Sequence, residues 1–197
     1  MIDEGVIKYD IDWCLTPPRA ADVPAPLIEA RDRLFRAGLI GYDTVDEVGY
    51  GNISLRVGDG RRFVVSGTQT GHLERTGPEH YCRVTGYDID ANRLRCEGPV
   101  RASSEALTHA AIYELSADIG AVVHVHSAEM WTRLADRMPT TSADVPYGTP
   151  EMAREFGRLY RETDLAETGI AVMGGHADGL ISFGKTMEQA LQRILAA

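Results

Sequence analysis

The sequence predicts a mixed α/β fold: a central, largely antiparallel sheet with helices packed on it. Three observations lead there. Two pairs of short apolar runs are each joined by a tight turn, which favours antiparallel neighbours. Other segments carry capping signals and an apolar stripe, as helices packed on a core do. The order of the two kinds of element is mixed rather than that of a doubly wound sheet.

The elements follow from the N-terminus. GVIKYDIDW has the character of an edge strand, and TPPRAADVPAP is a proline-broken linker. PLIEARDRLFRAG predicts a helix with Leu27, Ile28, Leu34 and Phe35 on one stripe and Gly38 at its stop. NISLRV and RRFVVSG form a strand pair around Gly58-Asp59-Gly60. Tyr81 to Leu94 holds two more strands, turning near Asp90-Ala91-Asn92. SSEALTHAAIYELSAD predicts a helix capped by Ser103 or Ser104, and AVVHVH the strand after it. Thr149-Pro150-Glu151 opens a helix over EMAREFGRLYRE. GIAVMGG and GLISFG are strands around a loop bearing His176, and Thr186 and Gln189 have capping-box spacing before the last helix. Residues 1–25 are expected to be an N-terminal extension, and 26–197 one domain.

Composition narrows the function. At 197 residues, 44% hydrophobic and 25% charged, the chain is long enough for a substantial core and ordinary for a globular protein. A formal charge of -9 argues against a nucleic-acid or anionic-membrane surface, both of which favour basic patches. Cys14, Cys82 and Cys96 are odd in number and widely spaced, as reduced thiols in a cytoplasmic protein would be. The early acids of MIDEGVIKYDIDW do not fit a secretory leader, and no run of roughly 20 apolar residues fits a membrane span.

AVVHVHSAEMW carries the first chemical signal. Alternate side chains of a strand share a face, so His124 and His126 stand together while Val123 and Val125 face away. Two neutral imidazoles on a rigid face suit a transition metal such as zinc. They also suit two histidines that hydrogen-bond inside a core. His176, in GGHADG, lies between glycines that allow a tight loop, and a third imidazole would leave one tetrahedral position open for substrate. Glu105, at a helix start beside Ser103 and Ser104, is either a dipole-stabilised acid or a general base; His109 shares its helix face as a packing residue. Gly51-Asn52-Ile53-Ser54, Ser66-Gly67 and the Ser103-Ser104 amides are turn-like segments that could cradle a phosphate. The absence of GxxxxGK[ST] leaves P-loop nucleotide hydrolysis without support.

In order, YGNIS, VVSGTQTG, ASSEALTHAAIY, AVVHVHS and GGHADGLISFG resemble the class II aldolase/adducin family from Pro26 to the C-terminus. The resemblance implies zinc, or another divalent ion such as Fe2+, Mn2+ or Co2+, held by His124, His126 and His176, with Glu105 as the catalytic acid/base. It places phosphate binding at Asn52, Ser66, Gly67, Ser103 and Ser104, and implies a homotetramer with sites between subunits. SGTQTG is also similar to the matching loop of the family's dehydratases. Between Met138 and Tyr147 the chain is shorter than the sugar-phosphate aldolases, and it stops at Ala197 without their tail, so a more open rim is expected. The expected function is aldol-type cleavage of a small hydroxy-carbonyl compound, a sugar phosphate or hydroxy acid, through a metal-stabilised enediolate. Dehydration, epimerisation or decarboxylation would use the same parts. An iron-dependent oxygenase and a non-catalytic adducin-like module remain the readings from other classes.

Overall fold

A computed structural model describes residues 5–58 and 60–197. Asp59 of the first expected turn and the acids of Met1–Glu4 lie outside the described residues. Along the chain run β1 (Asp10–Leu15), α1 (Ala25–Arg36), β2 (Gly41–Asp43), β3 (Val48–Tyr50), β4 (Asn52–Arg56) and β5 (Phe63–Ser66). Then come β6 (Tyr81–Asp88), β7 (Arg93–Gly98), α2 (Ala106–Leu115), β8 (Ala121–His126) and α3 (Ala128–Leu134). The chain closes with α4 (Pro150–Glu162), α5 (Leu165–Thr168), β9 (Ile170–Val172), β10 (Gly179–Gly184) and α6 (Met187–Leu195).

Eight strands form one sheet in the order β1-β7-β6-β5-β4-β8-β10-β9. Every neighbouring pair is antiparallel except β1 with β7, so the mixed, largely antiparallel α/β class is the fold observed. The first strand is an edge strand, as its sequence suggests, but lies later, at Asp10–Leu15.

The two faces carry separate cores. One packs Leu27, Leu34, Leu191 and Ile194 from α1 and α6 against Val123 and Val125. The other packs Leu107, Ile112, Met152 and Phe156 from α2 and α4 against Val122 and Ile181. β8 lies between β4 and β10, with His124 opposite Asn52 on one side and Ile181 on the other. Both neighbours fix its register, and register decides which face the imidazoles take.

Four local expectations differ from the structure. α2 starts at Ala106 with Glu105 at its N-cap, and neither Ser103 nor Ser104 caps it; the Ser103 hydroxyl accepts the Glu105 N–H at 3.4 Å. The box before α6 is half formed: Thr186 accepts the Gln189 N–H at 3.2 Å, but the Gln189 side chain accepts from Lys185 N at 2.8 Å. In α1, Leu27 and Leu34 are buried with Arg31, whereas Ile28 and Phe35 are only half-buried. Beyond AVVHVH, the Ser127 hydroxyl caps α3 by accepting the Met130 N–H at 3.3 Å, a helix the sequence reading lacked.

Candidate metal centre

β8 presents two imidazoles on one face, and their environments differ. His124 is buried, and its Nδ1 lies 3.0 Å from the Leu180 carbonyl. A carbonyl only accepts, so Nδ1 carries the proton and Nε2 keeps its lone pair. Burial, then the neighbouring His176 and His109, hold His124 well below the ordinary histidine range, and the ring is neutral. His126, half-buried, brings its Nε2 to 3.1 Å from His124 Nε2.

The third imidazole arrives from the β9–β10 connection. His176 is buried, with ring centroids 5.1 Å from His124 and 4.7 Å from His126. One nitrogen from each ring falls within 4.8 Å of the other two. The loop packs closely on Val145, where a Cβ on Gly175 would come within 1.9 Å of the Val145 carbonyl oxygen, so only glycine fits. The donor set suits a divalent transition metal. Nitrogens bound tetrahedrally at about 2.0–2.1 Å stand roughly 3.3 Å apart, close to the His124–His126 separation.

Glu105 sits at the N-cap of α2, where the helix dipole favours an anion. It is 1% exposed, and Oε1 lies 3.5 Å from His176 Nδ1. The carboxylate thus lies beside one of the three convergent imidazoles, a position from which a side chain of this type can exchange protons. His109 stands apart. Its Nδ1 meets the Ser54 hydroxyl at 2.8 Å, that hydroxyl meets Tyr113 at 2.8 Å, and burial pulls the ring down to about 3. It is a neutral packing residue.

The expected phosphate cradle is only partly assembled. Asn52, Gly67, Ser103 and Ser104 line one depression with the Thr68–Gly71 loop, and Asn52 Oδ1 is buried without a partner among the described residues. The space is about 10 Å³, room for one water. A phosphate there requires the loop to move outward. Ser66 does not face it: its hydroxyl accepts the Ile53 N–H at 3.1 Å and its carbonyl the Ser103 N–H at 3.2 Å. It joins β4 to the Ser103-Ser104 segment. Beyond His126 a wider cleft of about 350 Å³ opens along Asp43, Asp46, Tyr50, Ser127 and Asp178.

Three contributors were not legible as such. Tyr147 stacks on His176 with centroids 4.4 Å apart and planes 23° off parallel, and Tyr50 lies 5.5 Å from the His126 ring. Arg31 is 1% exposed inside α1, and its guanidinium donates to the carbonyls of Thr70 at 2.8 Å, Gly71 at 3.2 Å and Leu73. Its one signal was a charge on an otherwise apolar helix stripe.

Residues 33–197 match the Class II Aldolase and Adducin N-terminal domain, most of the chain in one alignment. The chain belongs to the class II aldolase/adducin family. Class II aldolases are typically divalent-metal dependent, and a histidine triad that could hold such an ion is present. Methylthioribulose-1-phosphate dehydratase from Gluconacetobacter diazotrophicus is 41% identical over 78 residues, 39% of this chain and 34% of that enzyme. The match therefore spans about a third of the relative. L-fuculose 1-phosphate aldolase superimposes with a TM-score of 0.63 at 17% identity, over 91% of this chain and 84% of the aldolase. YgbL of Escherichia coli, a candidate aldolase, epimerase or decarboxylase, gives 0.60 at 20% identity, over 86% and 82%. At these identities the likenesses show the shared fold. Among the described residues no helix is long and apolar enough to cross a membrane.

Proposed function

We propose that the protein is a zinc-dependent lyase that cleaves a small, phosphorylated hydroxy-carbonyl compound in aldol fashion. The observation that carries this reading is the convergence of His124, His126 and His176 beside the buried carboxylate of Glu105. When bound, a divalent ion supplies Lewis acidity toward the substrate's carbonyl and hydroxyl oxygens. The chain supplies the rest. The three imidazoles hold the ion, with His124 oriented by the Leu180 carbonyl. Glu105 takes the hydroxyl proton as the carbon–carbon bond breaks, then returns it to the carbon that keeps the electron pair. Asn52, Gly67, Ser103 and Ser104 hold the phosphate end once the Thr68–Gly71 loop yields, with Ser66 supporting the strand beneath.

Dehydration is the second reading, favoured by the 41% local identity to a dehydratase against 17–20% for the aldolase-like structures. Glu105 would then remove the proton next to the carbonyl while a hydroxyl leaves from the adjacent carbon. The experiment is metal analysis of the purified protein, followed by turnover of a panel of ketose phosphates and hydroxy acids. Two carbonyl fragments identify the aldolase. One product that has lost water identifies the dehydratase, and no turnover by metal-loaded protein across the panel defeats both.

A further inference from the structure

Residues 5–9 precede the span that matches the family, yet they run along the candidate site. Gly5 borders the depression lined by Asn52, Ser103 and Ser104. The Val6 N–H donates to the Tyr147 hydroxyl at 3.3 Å. Lys8 Nζ stands 3.6 Å from the centroid of the Tyr147 ring, and His176 stacks on the same ring at 4.4 Å. Two groups that close cannot share one face of a phenol, so Lys8 and His176 enclose Tyr147 from opposite sides. The Tyr9 hydroxyl donates to the Ser103 carbonyl at 2.7 Å, just ahead of Glu105. The segment is itself anchored: Asn92 Nδ2 donates to the Lys8 carbonyl at 2.9 Å, and Asp10 N to the Asn92 carbonyl at 2.9 Å.

The three imidazoles do not need this support equally. His124 and His126 ride on a strand with bonded neighbours on both sides. His176 rides on a turn rather than a strand, closed by its own amide to Met173 O at 3.1 Å, Gly179 N to His176 O at 3.0 Å and Gly174 N to the Thr141 hydroxyl at 2.9 Å. Loop backbones open more readily than strands, and a ligand that swings loses its share of affinity. An aromatic face packed on the imidazole opposes that swing, and a cation on the far face of the phenol holds the aromatic in place.

We infer that residues 5–9 clamp the candidate metal centre, with Lys8 and Tyr147 as positioning residues for His176 and Tyr9 steadying the backbone ahead of Glu105. The effect on metal binding rests on the metal reading above; the effect on the His176 loop does not.

The test uses the full chain as wild type, Tyr147→Leu, Tyr147→Phe, Lys8→Met and Lys8→Arg. Metal-free protein is measured first, by amide exchange at His176 and Gly179 and by the NMR shifts of the His176 ring protons, which a stacked phenol displaces. Exchange should quicken about tenfold in Tyr147→Leu and about threefold in Lys8→Met, with the ring signals moving in both. Lys8→Arg, which keeps the cation, should restore wild-type behaviour, and Tyr147→Phe, which keeps the ring but loses the Val6 bond, should stay near wild type and well short of Tyr147→Leu. Co2+ titration follows: affinity should fall about tenfold in Tyr147→Leu with an altered visible spectrum, and about threefold in Lys8→Met. Unchanged loop exchange and ring shifts in Tyr147→Leu overturn the clamp whatever the metal does. If that variant fails to fold, the same null result in Lys8→Met overturns it. Quickened exchange in the variants, together with a wild type that binds no Co2+, leaves the clamp standing and defeats the metal reading instead.

Discussion

Single side chains carry the chemistry, and each has a distinct expected signature. Glu105→Gln keeps the shape at the N-cap of α2 but removes the base. Metal content should stay near normal while turnover drops about 100-fold or more, the usual scale for a general base. Turnover unchanged on a verified substrate would sink the assignment. Replacing His124, His126 or His176 by Ala should strip metal from the purified protein, and full occupancy in His176→Ala would remove that residue from the set. His109 gives a pH signature. Its folded pKa of about 3 lies below the ordinary value of 6.5, so between those limits the unfolded chain binds the extra proton. Stability therefore falls as pH drops from about 6.5 to about 3, by up to roughly 1.4 kcal/mol per pH unit from this group, and levels off below. Urea unfolding of metal-free protein from pH 7 to pH 4 should show a shallower slope in His109→Gln than in wild type. Parallel slopes would exclude His109 as a source of acid lability.

At the scale of elements, the site is a meeting of one strand, one helix start and two loops. β8 is rigid because β4 and β10 bracket it, whereas the Thr68–Gly71 loop depends on α1. Arg31 reaches out of that helix to the carbonyls of Thr70, Gly71 and Leu73. Arg31→Leu should cost about 2–3 kcal/mol, since three hydrogen bonds to a charged donor are lost. Amide exchange at Gly71 and Leu73 should quicken as well. A wild-type urea midpoint and unchanged exchange would mean that packing alone holds the loop.

For the whole molecule, the open cleft past His126 is the informative feature. Carbon–carbon cleavage leaves an electron pair that bulk water would protonate, so a working site needs cover. A second copy of the chain over the Asp43, Asp46 and Asp178 rim would supply it, in keeping with the expected homotetramer. Light scattering should then give the mass of four chains, and specific activity should fall on dilution as subunits part. A monomer at micromolar concentration with full turnover would overturn that assembly.

The sequence by itself determined most of the main elements and named the candidates for the chemistry. Alternation put His124 and His126 on one strand face, capping signals placed α4 and α6, and five ordered motifs pointed to the family. These are local properties, set by backbone period and by residues a few positions apart. Tertiary structure decided the rest. It brought His176 to the strand, set Glu105 at the cap rather than inside the helix, and turned Ser66 away from the depression it was expected to line. It laid Lys8 and Tyr147 against His176 and sent Arg31 from a helix core position into a distant loop. Contacts between residues far apart in the chain leave no periodic trace in the sequence, because each partner satisfies its own local rules whether or not the other is near. Only the packed sheet, with its register fixed on both sides, makes them neighbours.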